Sequence, residues 1–353
     1  MANNTLFRSL RIFLIPLFFC TTLCFCHLPR PLIIDHDAGV DDFISCTLQL
    51  LYCPERVKAI TIAPADSYIE PALWVMKQLQ NLLLPDSSST IPIGISQFEG
   101  LNPFPSAWRE DAWKLTKLPI WGDQKVSHQE IELESLYHDH TAFAILANIL
   151  QKTTFPVDIL ETGPCSNIAK VLTYCPRLKN KIHRMYIMGG ALRINGNVKE
   201  DPDKHNGSAE WNIYNNPRAF YTILRSGIPI TLISLDATQF TPIRPAFMKE
   251  LEQHCNHKSV QFVFQSLMTI KPVIDSGQYM FWDTLTSAVA IDPSLVKTEK
   301  IKINVVLTGE AMGQTFEDRE HGFEVDLAIW ADQKRFERTV LAVLDEKLKL
   351  CFG

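Results

Sequence analysis

Short apolar runs rich in β-branched residues recur along the chain at Leu32 to Ile34, Val57 to Ile62, Ile91 to Ile95, Val157 to Leu160, Met185 to Met188, Ile228 to Ile233 and Ile301 to Val306. They are nearly continuous rather than alternating, which is the pattern of strands buried on both faces. Between most of them lie stretches with helical spacing of apolar positions: Asp42 to Leu51, Pro71 to Leu84, Thr141 to Leu150, Asn167 to Leu172, Pro217 to Leu224, Val260 to Met268, Thr284 to Ala290 and Asp332 to Leu348. The alternation predicts an α/β fold, a single domain with a mainly parallel, Rossmann-like central sheet flanked by helices. Sheets of this kind bind ligands beyond the carboxyl ends of their strands.

Length and composition agree with one large domain. The 353 residues are 46% hydrophobic, and no Gly/Ser-rich or proline-rich linker divides them. Residues 1–26 stand apart, because Arg8 and Arg11 precede an apolar stretch from Ile12 to Cys26. This is the pattern of a secretory signal peptide, so export to the periplasm or the exterior is expected, with cleavage favoured over a retained membrane anchor. The domain proper then occupies 27–353. A formal charge of -5 and the lack of any Lys/Arg run argue against a nucleic-acid or anionic-membrane partner and favour a small-molecule ligand. Cys46, Cys53, Cys165, Cys175, Cys255 and Cys351 form no CxxC pairs and read as buried core thiols.

Directly after the first apolar run the chain places four carboxylates in eight residues, Asp35-His36-Asp37-Ala38-Gly39-Val40-Asp41-Asp42. Acids this close repel one another, so a hard cation, Ca2+ or Mg2+, is the economical counter-charge. A strand followed by D-x-D also opens haloacid-dehalogenase-type phosphatases, with Asp35 as nucleophile and Asp37 as acid. That chemistry needs a second acidic motif resembling GDxxxD, and the comparable place, Ser234-Leu235-Asp236-Ala237-Thr238, lacks that form.

The fuller set of motifs, DHDAGVDDF followed by TGPCSNIA, IMGGALRINGN, SAEWNIYNNP and FWDT, resembles the calcium-dependent nucleoside hydrolases, which cleave the N-glycosidic bond of ribonucleosides. The resemblance spans nearly the whole chain from Leu32, and several motifs in the right order are far more specific than one. It implies Ca2+ as cofactor, held by Asp37, Asp42, Asp283 and the main-chain carbonyl of Thr162, with Asp37 also the general base. It implies that Asp41 binds ribose hydroxyls and that Asn197, Glu210 and Asn212 make the remaining sugar contacts. Homo-oligomers are common in the family, so self-association is a further expectation. A nonhydrolytic nucleoside- or sugar-binding protein is the alternative that keeps the pocket without turnover.

Many pyrimidine-accepting members carry a His before the last metal-binding Asp, whereas this chain has Trp282. An indole is no general acid at neutral pH. The change resembles the purine-specific, inosine-adenosine-guanosine-preferring branch, in which two tryptophans sandwich the base; Trp108 matches the second. Asp66 matches an acid of that branch that faces the purine and assists its protonation, and Tyr279 matches as well. The resemblance therefore adds Asp66 and Trp282 to the catalytic set, and Trp108, Tyr279 and Trp282 to the substrate contacts, and it implies a role in purine salvage. The chain departs from the pattern at Ala38, where Pro is common, at a charged insertion from Lys199 to Ser208, at Asn216 in place of Asp, and at Ile274 in place of Arg. His138-Asp139-His140 reads as a helix start, His254-Cys255-Asn256-His257 as a weak ligand cluster, and His36 as an orienting group for the acidic loop.

Overall fold

The computed structural model describes residues 30–85, 90–123, 141–199 and 205–345. The expected leader, the His138 to His140 segment, Cys351 and the middle of the charged insertion lie outside these residues. Among the described residues no helix is long and apolar enough to cross a membrane.

Nine strands form one sheet: β1 (Leu32–His36), β2 (Val57–Ile62), β3 (Ile93–Ile95), β4 (Val157–Glu161), β5 (Ile182–Met188), β6 (Ile230–Ile233), β7 (Val296–Val305), β8 (Thr315–Glu317) and β9 (Phe323–Ala331). Their spatial order is β3-β2-β1-β4-β5-β6-β9-β7-β8. The first six strands and β9 pair in parallel, whereas β7 runs antiparallel to both β8 and β9. All seven apolar runs are strands. The two that their pattern did not announce, β8 and β9, are short or interrupted by charge, and they are held by pairing at the far edge rather than by a continuous apolar sequence.

Every residue of β1 is buried. Leu32 and Ile34 pack with Phe43, Leu73 and Leu285 on one face, while Ile33 packs with Leu146, Ile159 and Ile168 on the other. Helices on both faces thus explain why the run is apolar at every position. The strand order reverses between β1 and β4, and the crevice at their carboxyl ends is where this architecture places a ligand. In register, Asp35 lies beside Glu161, so the residues that follow, Asp37 and Thr162, emerge together at the same end.

Two helices start at this crevice. Helix α1 (Val40–Tyr52) is buried from Val40 through Leu50, and it packs against the helix Trp282–Ile291. Their contact is made by small and polar groups that satisfy one another: Gln49 Nε2 donates to the Ser287 carbonyl at 2.8 Å, and Ser287 Oγ donates to the Ser45 carbonyl at 3.0 Å. The parallel placement of the two N-terminal turns brings Asp41 and Asp42 to face Asp283.

The turn from β1 into α1 carries an uncommon backbone. Ala38 has φ +72°, a left-handed value that costs a side-chain-bearing residue about 1–2 kcal/mol. A proline ring, fixed near φ −65°, cannot adopt it. The Ala38 departure is therefore a difference of backbone path, and Asp42 braces that path by accepting from Gly39 N at 2.8 Å. Ala38→Gly is expected to raise stability by up to about 1 kcal/mol, the relief of left-handed strain exceeding the added chain entropy. Chemical denaturation checks this, and a destabilised glycine variant would show that Ala38 is not strained.

Candidate active site

The candidate site is a cleft of about 760 Å3 over the carboxyl ends of the parallel strands. Of the residues expected at a site, Asp37, Asp41, Asp66, Trp108, Thr162, Asn197, Glu210, Asn212, Tyr279, Trp282 and Asp283 line it, although they come from positions far apart in the chain. Asp42 lies just behind, fully buried.

The floor is acidic. Asp42 Oδ1 accepts from Thr162 Oγ1 at 2.5 Å, and its other oxygen accepts from Gly39 N. Asp41 accepts from the Tyr279 hydroxyl at 3.0 Å and from Asp283 N at 3.3 Å. Asp37 Oδ2 is buried with no hydrogen-bond partner. Burial is the largest cause that pushes all four carboxyls up, Asp42 to about 7, Asp37 and Asp283 well above the usual range; neighbouring carboxylates add to it at Asp37, Asp42 and Asp283, whereas at Asp41 the hydrogen bonds from Asp283 and Tyr279 pull the other way. Asp66 is held up in the same way, by burial and then by Asp111 and Asp41.

As they stand, no three His, Cys, Asp or Glu side chains among the described residues form a ready metal cage. The donor set nevertheless fits a hard cation. An unpartnered carboxylate oxygen on Asp37, crowded by Asp42 and Asp283, is the group that a divalent ion would satisfy, and all the donors are oxygen. Thr162 O already accepts from Asn212 Nδ2 at 3.1 Å, which leaves its second lone pair.

Asp35 stays out of this group. Its Oδ1 accepts from Thr61 Oγ1 at 2.7 Å and Asn167 Nδ2 at 2.8 Å, so it ties β1 to β2 and to the helix Ser166–Tyr174. Beside it lies Glu161, which the sequence motifs did not single out. Glu161 Oε1 accepts from Gly163 N and Cys165 N, both at 3.2 Å, so this acid shapes the loop that presents Thr162. Burial first, and then the Asp35 charge, hold the Glu161 carboxyl well above its ordinary range, while Asp35 is raised to about 6. The two buried acids thus push one another towards the neutral form.

Glu210, Asn212 and Asn197 are tied to the backbone. Glu210 caps its helix by accepting from Asn212 N at 2.9 Å and Ile213 N at 3.2 Å, and it also accepts from Gly190 N at 3.0 Å. Burial raises it to about 7 against the pull of those N–H groups. Asn197 Oδ1 accepts from Trp211 N at 3.0 Å. Its loop approaches Ala209 so closely that any side chain at Gly196 would collide with that residue's backbone. The charged insertion has not displaced Asn197 from the cleft.

The side walls are aromatic. Tyr279 and Trp282 meet edge to face at 4.7 Å on one side. On the other, Trp108 packs on Trp211 at 5.5 Å, and Phe104 stacks on Trp211 at 4.7 Å. Trp108 is 39% exposed, a side chain left free to cover a ligand. Trp211 was hidden in the sequence because it stands between two polar site residues and only the helical turn from Glu210 brings it into this wall.

Several expectations change. Ile274 is buried under the cleft, which its neighbours Ile270 and Val273 line instead. His36 does not orient the loop through hydrogen bonds: neither ring nitrogen has a partner, and burial lowers it to about 3. It packs edge-on against Phe43 at 5.8 Å. Cys46 and Cys165 are buried thiols, but Cys53, Cys175 and Cys255 are only half-buried, because they sit at or next to helix ends. Asn216 is a helix cap that accepts from Ala219 N at 3.1 Å. Asp236, the acid the phosphatase reading would need, is consumed by Leu192 N and Arg193 N at 2.9 and 2.8 Å.

A family model described as inosine-uridine preferring nucleoside hydrolase matches residues 32–346. The chain is similar to the pyrimidine-specific ribonucleoside hydrolase RihA of Klebsiella pneumoniae (strain 342), with 31% identity over 231 residues, 63% of this chain and 66% of that protein. The chain thus spans just under two thirds of the length of that curated relative. Among solved structures it is similar to an inosine-uridine preferring nucleoside hydrolase from Bacillus anthracis, with 28% identity and a TM-score of 0.78 over 89% of this chain and 99% of that one. It is also similar to a purine-preferring ribonucleoside hydrolase from Gardnerella vaginalis, with 26% identity and a TM-score of 0.69 over 91% and 100% of the two chains.

The raised Glu161 carboxyl has a consequence for stability. A group whose folded value lies above its ordinary 4.5 stabilises the fold fully below that pH, and the contribution is lost as pH rises through the folded value. Glu161→Gln, permanently neutral, is expected to flatten the decline in stability above about pH 4.5. Denaturation midpoints at acid, neutral and mildly alkaline pH measure it; an unchanged slope would mean that Glu161 is ionised in the fold.

Proposed function

The chain belongs to the inosine-uridine preferring nucleoside hydrolase family, and on that premise we propose that it hydrolyses the N-glycosidic bond of ribonucleosides, purine ribonucleosides foremost, with Ca2+ as cofactor. The observation that carries this reading is the union in one cleft of an unpartnered Asp37 carboxylate oxygen, the fixed sugar-side acceptors and two aromatic walls. Asp37, Asp42, Asp283 and the Thr162 carbonyl would hold the ion. What calcium supplies when bound is a more acidic water and positions for two vicinal hydroxyls.

The remaining chemistry belongs to the side chains. Asp37, with a free oxygen, takes the proton of the attacking water as general base. Asp41 and Asn197 bind ribose hydroxyls, and Glu210 and Asn212 fix the rest of the sugar. Because backbone N–H groups already anchor Glu210, its acceptors are set before substrate arrives and cost no reorganisation during reaction. Trp108 and Trp282 cover the faces of the base, contacts worth about 1–3 kcal/mol each in other base-binding proteins, and Tyr279 supports Trp282. Asp66 lies at the base end, where a carboxyl held protonated can assist departure.

The printed specificities of the relatives divide between pyrimidine and purine. Trp282 at the start of its helix, and Asp66 beside the cleft, support the purine reading for this chain. The charge and hydropathy pattern of residues 1–26 supports export of the enzyme.

Ribose release from inosine, adenosine, guanosine, uridine and cytidine, with calcium and after chelation, is the direct test. Calcium-dependent release confined to purines is expected. Comparable uridine cleavage would remove the purine assignment, and binding without release would make the chain a nonhydrolytic binder. Asp37→Ala is expected to lower kcat by about 10²-fold or more, the usual contribution of a general base. Trp282→Ala should impair inosine cleavage far more than ribose binding, and equal losses would count against stacking.

A further inference from the structure

In this cleft the position next to Asp283 is an indole, so the negative charge that collects on a departing base needs another carrier. Lys114 is placed for it. It lies in α3 (Asp111–Leu115), the third helix after α1 and the helix α2 (Ile69–Leu83), and it lines the cleft together with Asp66, Asp111 and Trp108. Two bonds pin this segment to the loop that follows β2: Ala112 N donates to Ser67 Oγ at 3.1 Å, and Arg109 Nη2 donates to the Pro64 carbonyl at 3.0 Å. Lys114 therefore stands at the Asp66 end of the cleft, among the base-facing residues.

Its ammonium donates to Asp111 Oδ1 at 2.7 Å, and its side chain is 45% exposed, which leaves N–H donors for a ligand. A pair of this kind three residues apart on a five-residue helix adds little to stability. Its placement makes chemical sense instead: Asp111 holds the flexible lysine stem, and the ammonium is a donor without acceptor capacity.

We infer that Lys114, steadied by Asp111, is the group that receives the negative charge of the leaving base, donating a charge-assisted hydrogen bond to an oxo or ring-nitrogen acceptor on its edge. This rests on the hydrolase reading above and adds a residue to it. In the step, the C1′–N bond breaks with its electron pair on the base, and the oxygen of water bonds to C1′. One water proton passes to Asp37. The base, its negative charge held against Lys114, takes a proton from solvent water as it leaves, and Asp37 returns the proton it accepted to the hydroxide so formed, which restores the carboxylate.

The arrangement also discriminates among bases. A 6-oxopurine presents an acceptor oxygen, which complements the ammonium, beside a ring N–H, for which a carboxyl oxygen of Asp66 or Asp111 is the acceptor. A 6-aminopurine presents the reverse order, an N–H2 donor towards the ammonium. Inosine is thus expected to outperform adenosine because of Lys114.

The test compares Lys114→Met and Lys114→Arg with the unaltered protein on inosine, adenosine and p-nitrophenyl riboside, whose phenolate leaves without protonation. Lys114→Met is expected to lower the inosine to p-nitrophenyl riboside ratio of kcat/KM at least tenfold, in line with loss of one charge-assisted hydrogen bond. It should also shrink the preference for inosine over adenosine, and Lys114→Arg should recover most of both. Equal losses on inosine and p-nitrophenyl riboside, or an unchanged inosine to adenosine ratio, would overturn the inference while leaving the hydrolase intact. An unaltered protein that releases ribose from none of the three overturns the hydrolase reading itself.

Discussion

Mutual repulsion among carboxylates withdrawn from water is the constraint around which the carboxyl end of this sheet is built. Asp37, Asp41, Asp42 and Asp283 are buried, and burial pushes each towards its protonated form, with neighbouring carboxylates adding to it at Asp37, Asp42 and Asp283. Such a set persists only if donors, shared protons or a cation offset the charge. Each oxygen of Asp41 and Asp42 has one donor, from Tyr279, Asp283 N, Thr162 and Gly39. Asp37 keeps a bare oxygen, so the unbalanced part of the charge is directed into the cleft.

The architecture supplies this concentration from few elements. β1 and β4 end side by side where the strand order reverses, and two helices begin over that point with their first turns together. Helix N-termini favour negative charge, which offsets part of the cost of gathering the acids there. The close helix contact through Ser45, Gln49 and Ser287 sets the spacing between Asp41 and Asp283. A second acid pair below, Asp35 and Glu161, is screened from the cleft and shapes the two loops that carry Asp37 and Thr162.

The walls divide the labour. Backbone N–H groups immobilise Glu210 and Asn197, whereas the other walls are built from large aromatic faces with a few charged groups. Rigid placement suits a sugar whose hydroxyls must be held in one orientation. Stacking tolerates different rings, so under the proposed hydrolase reading base preference falls to the edge groups, Asp66, Asp111 and Lys114.

The sequence by itself determined the strands buried on both faces, because their continuous apolar runs are a local signature, and it determined most acids and aromatics of the cleft, because ordered motifs name them one by one. β8 and β9 escaped it, since their stability comes from pairing at a sheet edge rather than from their own pattern. Only the tertiary structure decided that Glu161 is buried beside Asp35 with its carboxyl pushed up, that Trp211 completes an aromatic wall, and that Lys114 lines the same cleft as Asp66. Each of these is a relation between residues distant in the chain, set by burial and packing. A pKa raised by desolvation, or a cation turned into a cleft, does not exist until the fold removes water and brings the partners together.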